Sequence, residues 1–453
     1  MPHDPVPALL SHATELLEAE FSALPTFDSA FDLAPIEQVL ASVAHRLADN
    51  YPYFHPLYAG QMLKPPHPLA RAAYALAMSI NPNNHARDGG RASSEMEIEA
   101  VRQIAAMFGW TEYLGHLTSS GTIANLEALW IAGQSRPGQR IVGSAQAHYT
   151  PRRISAVLKL DYTEIPADSS SRMSIEALEI ELRKGNVGTV VATLGTTAMA
   201  AVDPLDQILA LRERYGFRVH VDGAYGGYFK LIANTLAEPA RRAYASISQA
   251  DSIVVDPHKH GLQPFGCGCV LFRDPAVGRF YKHDSPYTYF TSKQLHLGEI
   301  SLECSRAGAA AVALWATQQL LPLTPEGEFA RGLSQGRRAA LDLDRRLRAD
   351  ARFQPLATPP DLDIVVWKLR AETPEQSSNL AQNVFDACAA RDLHLALVQL
   401  PLSWFAPPAE VANTAEARLV TCLRSVLMKP EHEAWLDRIW ERYTAACADT
   451  MGE

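Results

Sequence analysis

The sequence predicts an α/β protein with a mainly parallel sheet and a smaller C-terminal α+β lobe. Strand-like and helix-like stretches alternate through the middle of the chain, which is typical of a parallel sheet covered by helices. The β-branched run at 188–194 (GTVVATL) is apolar throughout, as in a strand buried on both faces. Beyond about residue 325 the pattern changes, and helical stretches alternate with three further strand-like runs. We therefore predict an N-terminal arm over 1–60, a large domain over 61–324 and a small domain over 325–453.

The individual elements follow from apolar, β-branched runs and from helix-capping signals. Asp203 is the predicted N-cap of a helix that has Pro204 at its first position and ends at Gly216. The predicted strands of the large domain cover 140–144, 188–194, 218–221, 252–255 and 269–272. In the small domain the predicted helices cover 329–347, 377–391 and 431–447, and the predicted strands cover 364–369, 394–400 and 419–427.

Composition and charge narrow the classes of function. Hydrophobic residues make up 47% of the chain and charged residues 20%, which fits a globular protein with a sizeable core. The 41 basic and 50 acidic residues give a net charge of −9, whereas nucleic-acid binding favours a basic face. No apolar stretch reaches the roughly 20 residues that span a bilayer, and the first residues lack the pattern of a signal peptide. The six cysteines lack metal-ligand spacing. We therefore expect a cytoplasmic protein with reduced thiols, no metal site and neither a nucleic-acid nor a membrane partner.

Lys259 lies directly after an apolar strand, in the hexapeptide DPHKHG at 256–261. Burying a lysine costs free energy unless its pKa falls or its amine is covalently modified, and a Schiff-base lysine meets both conditions. The alternative is an ordinary surface lysine at the end of a strand.

Asp222 ends another apolar strand, in the segment VDGAYGG. An unpaired carboxylate is costly to bury there, so we expect a cationic partner such as a protonated pyridine nitrogen. The small residues after it, among them Ala224, leave room for a flat ring close to the backbone. The alternative is an aspartate that caps a turn.

Two further segments complete the pattern. The segment TSSGTIAN at 118–125 is a Ser/Thr/Gly turn that leads into a helix, where backbone N–H groups and the Ser120 and Thr122 hydroxyls could bind a phosphate. The alternative is an ordinary helix N-cap. His148, in the segment QAHYT, either stacks on an aromatic ring or satisfies a core hydrogen bond. A phosphate site, a stacking histidine, a carboxylate and a Schiff-base lysine are together the parts that hold pyridoxal 5′-phosphate.

From about residue 52 to about residue 430 the chain resembles the group II pyridoxal-phosphate-dependent amino-acid decarboxylases of the fold-type I aminotransferase superfamily. The motifs TSSGTIAN, QAHYT, VVATLGTTAMAAVDP, VDGAYGG, DPHKHG and LECSRAG occur in the order of that family. The stretch 289–308 is most similar to the tyrosine/aspartate decarboxylase branch. The resemblance implies a seven-stranded, mainly parallel sheet in the large domain, pyridoxal phosphate as cofactor, and a homodimer whose arm, 1–60, packs between the subunits. The alternative for the arm is packing on its own core.

The resemblance also implies a role for each matching residue. Lys259 would form the Schiff base and Asp222 would keep the pyridine nitrogen protonated. His148 would stack on one ring face while Ala224 packs against the other. The residues that would hold the phosphate are Ser120, Gly121, Thr122 and His258.

Four residues are candidates for contact with the substrate or the ring oxygen. Thr196 would donate a hydrogen bond near the ring oxygen or the substrate carboxylate. Arg424 would bind the substrate α-carboxylate, with a surface salt bridge as the alternative. Tyr289, or less well Tyr287, would protonate the carbanion, and the alternative for both is packing at a dimer interface.

The resemblance implies an L-amino-acid decarboxylase that releases CO2 and a primary amine. The alternative is another pyridoxal-phosphate-dependent reaction through the same Schiff base, either decarboxylation-coupled oxidative deamination, retro-aldol cleavage or transamination. A non-catalytic binding protein would be expected to lack Lys259 or Asp222, and both are present. Three positions depart from the common family pattern. Asp256 stands where many members have Asn, next to the expected phosphate, and Gly223 replaces a common Ala. His260 stands where aromatic-specific members often have Trp. We therefore expect an amino acid as the small-molecule substrate. Only the likeness to the tyrosine/aspartate decarboxylase branch suggests that this amino acid is tyrosine-like or acidic.

Overall fold

The large sheet of the computed structural model has seven strands, as predicted. The structure describes residues 4–27, 31–282, 300–405 and 418–451. The strands are β1 (Leu114–Thr118), β2 (Arg140–Ser144), β3 (Tyr162–Ile165), β4 (Val187–Thr193), β5 (Arg218–Asp222), β6 (Ser252–Val255) and β7 (Gly268–Phe272). Their order across the sheet is β1-β7-β6-β5-β4-β2-β3. Only β7 runs against its neighbours, β1 and β6, so the sheet is mainly parallel.

Helices cover this sheet and shield its central strands from water. Every residue of β4 is buried, as its continuous apolar run predicts. The α-helices that precede the C-terminal lobe in the chain are α1 (Val6–Glu20), α2 (Leu33–Leu47), α3 (Pro68–Met78), α4 (Arg91–Met107), α5 (Gly121–Ser135), α6 (Tyr149–Val157), α7 (Ile175–Arg183), α8 (Leu205–Tyr215), α9 (Ala240–Ser246) and α10 (Gly308–Leu320). Among the residues that the structure describes, no helix combines the length and the apolar character needed to cross a membrane.

Helix α8 corrects one detail of the sequence analysis. Its N-cap position is Pro204, and Asp203 is not the cap that the sequence predicts. The Asp203 carboxylate is buried and instead accepts backbone N–H bonds from Met173, at 2.7 Å, and from Thr193, at 2.8 Å. Burial raises the pKa of this carboxyl to about 7. Gly216 ends the helix in the left-handed conformation, with φ of 71°, as predicted.

The C-terminal lobe is an antiparallel sheet with helices packed on it. Its strands are β8 (Phe353–Pro355), β9 (Ile364–Leu369), β10 (Ala396–Pro401) and β11 (Leu419–Val426), in the order β10-β11-β9-β8, and its helices are α11 (Glu328–Ala349), α12 (Pro374–Ala389) and α13 (His432–Met451). Strand β8 was not predicted, because three residues carry too little pattern. Helix α12 begins three residues before its predicted start, because Thr373 and Gln376 form a capping box ahead of it. Trp367 and Tyr443 meet in the core of this lobe, where the indole N–H donates to the phenol oxygen at 2.7 Å.

Candidate active site

The residues predicted to bind the cofactor lie along one edge of the large sheet, where its parallel strands end. Ligands of open α/β sheets bind at this edge. Ser120 follows β1, His148 follows β2, Thr196 follows β4, Asp222 is the last residue of β5, and Lys259 follows β6. Strands distant in sequence therefore bring the predicted residues to one place, and the contacts below show how each side chain is held.

The first turn of α5 has the geometry of a phosphate site. Ser120 is the N-cap, and its hydroxyl oxygen accepts the backbone N–H of Ile123 at 3.3 Å. Gly121 and Thr122 follow as the first two helical residues, whose N–H groups have no carbonyl within the helix to bond. Thr122 is exposed, so the turn is open to a ligand. The positive end of the helix dipole favours an anion at this point.

Lys259 is held in an ion pair next to that turn. Its Nζ lies 2.9 Å from Oδ2 of Asp256, which is buried, while a quarter of the lysine side chain (24%) is exposed. His258 lies on the other side of the carboxylate, with Nε2 at 3.5 Å from the same oxygen. The Nδ1 atom of His258 is 2.7 Å from the carbonyl oxygen of Cys267, which orients the ring. The lysine side chain is thus partly exposed to solvent and positioned by its neighbours.

Asp222 is a buried carboxylate next to these charges. Burial raises its pKa, and the positive charge of Lys259 together with the Ala224 N–H, which donates to Asp222 at 3.1 Å, acts against that rise. A pyridinium N–H would supply a further cationic partner to this carboxylate. Ala224 is half-buried just beyond the end of β5, so it leaves space near the carboxylate.

His148 caps helix α6 from the same edge of the sheet. Its Nδ1 accepts the backbone N–H of Thr150 at 3.3 Å and also contacts the hydroxyl of that threonine. Burial lowers the pKa of His148, and the charges of Asp222, Lys259 and Asp256 act on it as well. A half-buried ring that is fixed by its Nδ1 atom is suited to stacking on an aromatic cofactor.

Thr196 lies in a tight turn after β4 and is fully buried. Its hydroxyl oxygen accepts the N–H of Ala201 at 3.1 Å, while its own N–H donates to the Ala201 carbonyl at 2.9 Å. Gly195 precedes it with φ of 101°, a conformation that L side chains rarely adopt. The hydroxyl has no exposed surface in this structure, so the bond to the ring oxygen or the substrate stays a prediction.

Arg424 is buried on β11 and joins the two lobes. Its Nη2 donates to the carbonyl of Thr197 at 2.7 Å, and its Nε donates to the carbonyl of Ala198 at 2.8 Å. Its Nη1 lies 3.2 Å from both the Gly60 carbonyl and Oε1 of Gln61. The alternative of a surface salt bridge is wrong, because the side chain is only 4% exposed and bonds carbonyls. Contact with a substrate carboxylate stays a prediction.

Tyr287 and Tyr289 lie outside the described residues, but the flanks of their segment share a partner that the sequence analysis missed. The buried Glu127 accepts a hydrogen bond from the Tyr281 hydroxyl at 2.8 Å and another from the backbone N–H of Leu302 at 3.3 Å. Its Oε2 also lies 2.9 Å from Nε2 of His116. A carboxylate within the apolar helix LEALWIAG was the signal that could have identified it.

A second residue that the sequence analysis missed is Asp363, which contacts the segment that carries Lys259. His260 is buried next to Lys259, and its Nε2 lies 3.2 Å from Oδ2 of Asp363. The hydroxyl of Tyr225 donates to the other oxygen of Asp363 at 2.7 Å. Asp363 precedes β9 in the small lobe, so this contact crosses between the lobes. A carboxylate directly before an apolar strand was the only available signal.

The site fits pyridoxal phosphate by the chemistry of its donors. It has the amine of the partly exposed Lys259, a buried carboxylate on Asp222 for a pyridinium, and the N–H groups of the first turn of α5 for a phosphate. The departure is Asp256, whose Oδ1 is buried without a hydrogen-bond partner among the described residues.

Comparison with known proteins agrees with this chemistry. A family profile described as "Pyridoxal-dependent decarboxylase conserved domain" matches residues 35–370. The L-tyrosine decarboxylase of Enterococcus faecium is 28% identical over 390 residues, 64% of this chain and 64% of that protein. The probable L-tyrosine/L-aspartate decarboxylase of Methanothermobacter thermautotrophicus is 29% identical over 327 residues, 70% of this chain and 84% of that protein. The chain spans slightly less than two thirds of the Enterococcus faecium relative and of the L-tyrosine decarboxylase of Levilactobacillus brevis.

Solved structures share the fold. The structure of Oryza sativa TDC with PLP and tryptamine has a TM-score of 0.79 at 17% identity, covering 100% of this chain and 99% of that one. Mouse CSAD has a TM-score of 0.77 at 21% identity, covering 96% of this chain and 92% of that one. At these identities the likeness establishes the fold.

Proposed function

The chain belongs to the pyridoxal-dependent decarboxylase family, and from this premise we propose that it is a pyridoxal-phosphate-dependent L-amino-acid decarboxylase that releases CO2 and a primary amine. The observation that carries the proposal is the meeting of three groups at one sheet edge. These are the Lys259 amine, the buried Asp222 carboxylate and the open first turn of α5. Each of these groups would bind a different part of pyridoxal phosphate.

The residues of this chain have separate tasks in that reaction. Bound pyridoxal phosphate would supply an electron sink for the bond that breaks at the substrate Cα. Lys259 would supply the amine that anchors the cofactor. Asp222 would hold a proton on the pyridine nitrogen, and burial would strengthen that ionic bond because water screens it little. His148 limits the space over the ring, and Tyr289 is the proposed proton donor to Cα.

Product analysis tests the proposal. Purified protein with pyridoxal phosphate would be incubated with each common L-amino acid, together with L-2,4-diaminobutyrate, and the products identified by mass spectrometry. The panel is chosen because relatives are named decarboxylases of tyrosine, aspartate and diaminobutyrate. We expect one amine, and no amine from Lys259→Ala, since that variant cannot form the Schiff base.

Other products would change the assignment. An aldehyde would indicate decarboxylation-coupled oxidative deamination, and a keto acid would indicate transamination. Release of glycine with an aldehyde would indicate retro-aldol cleavage. No product from any amino acid, although the cofactor is bound, would contradict the decarboxylase proposal for this panel.

We also propose that the protein is a homodimer through its N-terminal arm. Helix α2 has no buried residue, and one of its faces is an apolar stripe of Ile36, Leu40, Val43 and Leu47, each at least 44% exposed. Such a stripe on a single chain favours burial against a partner, and the resemblance suggests a second copy. Sedimentation should give twice the mass of one chain, and Leu40→Glu with Val43→Glu should give the monomer. A monomeric native protein would contradict this proposal.

We propose a cytoplasmic location as well. The six cysteines form no disulfide bond and five of them are buried, which suits a reducing compartment. Cell fractionation should recover the protein with cytoplasmic markers, and recovery in a secreted fraction would contradict this.

A further inference from the structure

Asp256 lies against the helix end where the cofactor phosphate is proposed to bind. A Cβ added to Gly121, the first residue of α5, would collide with both oxygens of the Asp256 carboxylate and would come within 2.5 Å of Oδ1. The carboxylate is therefore packed directly on the turn whose N–H groups favour an anion.

The balance of charge around Asp256 depends on Lys259. Oδ2 lies 2.9 Å from the lysine Nζ, with Nε2 of His258 farther away at 3.5 Å. Oδ1 is buried and has no hydrogen-bond partner among the described residues, so half of the carboxylate is desolvated without compensation. Asp222, also a carboxylate, is close enough for the charge of Asp256 to raise its pKa further, beyond the effect of burial. The lysine is the nearest cation to this cluster in the described structure.

A phosphate arriving at α5 changes this balance. It brings a second anion to the helix end that Asp256 already faces, and Schiff-base formation takes the Lys259 amine away from the carboxylate. We propose that Asp256 competes with the cofactor phosphate for the N-terminus of α5 and for Lys259, and thereby weakens the binding of pyridoxal phosphate. This inference rests on the proposed function, because it requires the cofactor to bind at this site.

The test is equilibrium titration of the cofactor-free protein with pyridoxal phosphate and, separately, with pyridoxal, followed by absorbance. In Asp256→Asn we expect the Kd for pyridoxal phosphate to fall by about tenfold or more, because like charges near 4 Å apart repel strongly below the dielectric of water. The Kd for pyridoxal, which lacks the phosphate but also reacts with Lys259, should fall less. Asp344→Asn is the matched control, since Asp344 pairs with Arg348 on α11 in the small lobe. The affinity of Asp344→Asn for pyridoxal phosphate and for pyridoxal should equal that of the native chain.

Thermal unfolding supplies a second measurement that does not depend on activity. Without cofactor, Asp256→Asn should unfold at a lower temperature than the native chain, because Lys259 loses its partner. With pyridoxal phosphate the order should reverse, because the variant binds the cofactor more tightly. A merely structural role of Asp256 would lower both temperatures.

Three results would overturn the inference. An unchanged or higher Kd for pyridoxal phosphate in Asp256→Asn would refute the competition. An equal fall in the Kd for pyridoxal would show that the substitution acts through the reactivity of Lys259 and not through the phosphate. If the native chain binds neither compound, the proposed function fails and this inference fails with it. Asp256→Ser replaces the first variant in the same titration if Asp256→Asn does not fold.

Discussion

Replacing Arg424 with lysine tests whether one buried side chain joins the two lobes. The guanidinium donates to two carbonyls of the turn after β4, those of Thr197 and Ala198, and to Gly60 and Gln61 on a separate segment. A lysine keeps the charge but donates from a single nitrogen, so it cannot serve both segments. We expect Arg424→Lys to lose about two of these bonds.

The magnitude follows from the bonds that are lost. A hydrogen bond with a charged donor contributes about 1.5–3 kcal/mol, so two of them correspond to about 3–6 kcal/mol of unfolding free energy. Arg152→Lys is the control, because Arg152 forms an exposed pair with Glu164 and its replacement should cost less than about 1 kcal/mol.

Urea unfolding followed by circular dichroism measures both variants. If Arg424→Lys differs from the native chain by less than about 1 kcal/mol, the four bonds do not join the lobes and the reasoning is refuted. Steady-state kinetics on the folded variant adds an independent reading. A higher KM for the amino acid would support the predicted contact between Arg424 and the substrate carboxylate.

Two further predictions concern packing and pH. Gly226→Ala should lower the unfolding free energy by about 3 kcal/mol in urea titration, because its Cβ would collide with the Leu194 carbonyl and lie 2.8 Å from the Tyr244 hydroxyl oxygen. No loss would show that this turn can relax. Burial lowers the pKa of Lys429 to about 7, so above that pH the folded chain has released a proton that the unfolded chain still binds. Stability should therefore rise by up to about 2 kcal/mol between pH 7 and about pH 9 from this group, and Lys429→Met should reduce the rise without abolishing it, because burial also lowers the pKa of Lys64 to about 8. An equal rise in that variant would contradict the assignment.

The sequence alone determined the features that depend on local residue type. Strands β2, β6 and β9 lie where their β-branched runs predict them. Ser120 caps its helix as the Ser/Thr/Gly turn suggests. The cofactor could be inferred because a strand-end lysine, a strand-end aspartate and a helix start are each recognisable within a few residues.

The tertiary structure decided how distant residues pair. Asp203 looked like a cap in sequence, yet it bonds Met173 and Thr193, because the chain after β4 turns the carboxylate inward. Arg424 and the turn after β4 are more than 200 residues apart, so local pattern carries no information about their contact. The partner that Asp256 takes likewise depends on how β6 and α5 pack. Burial and long-range approach set these energies, and both exist only once the chain has folded.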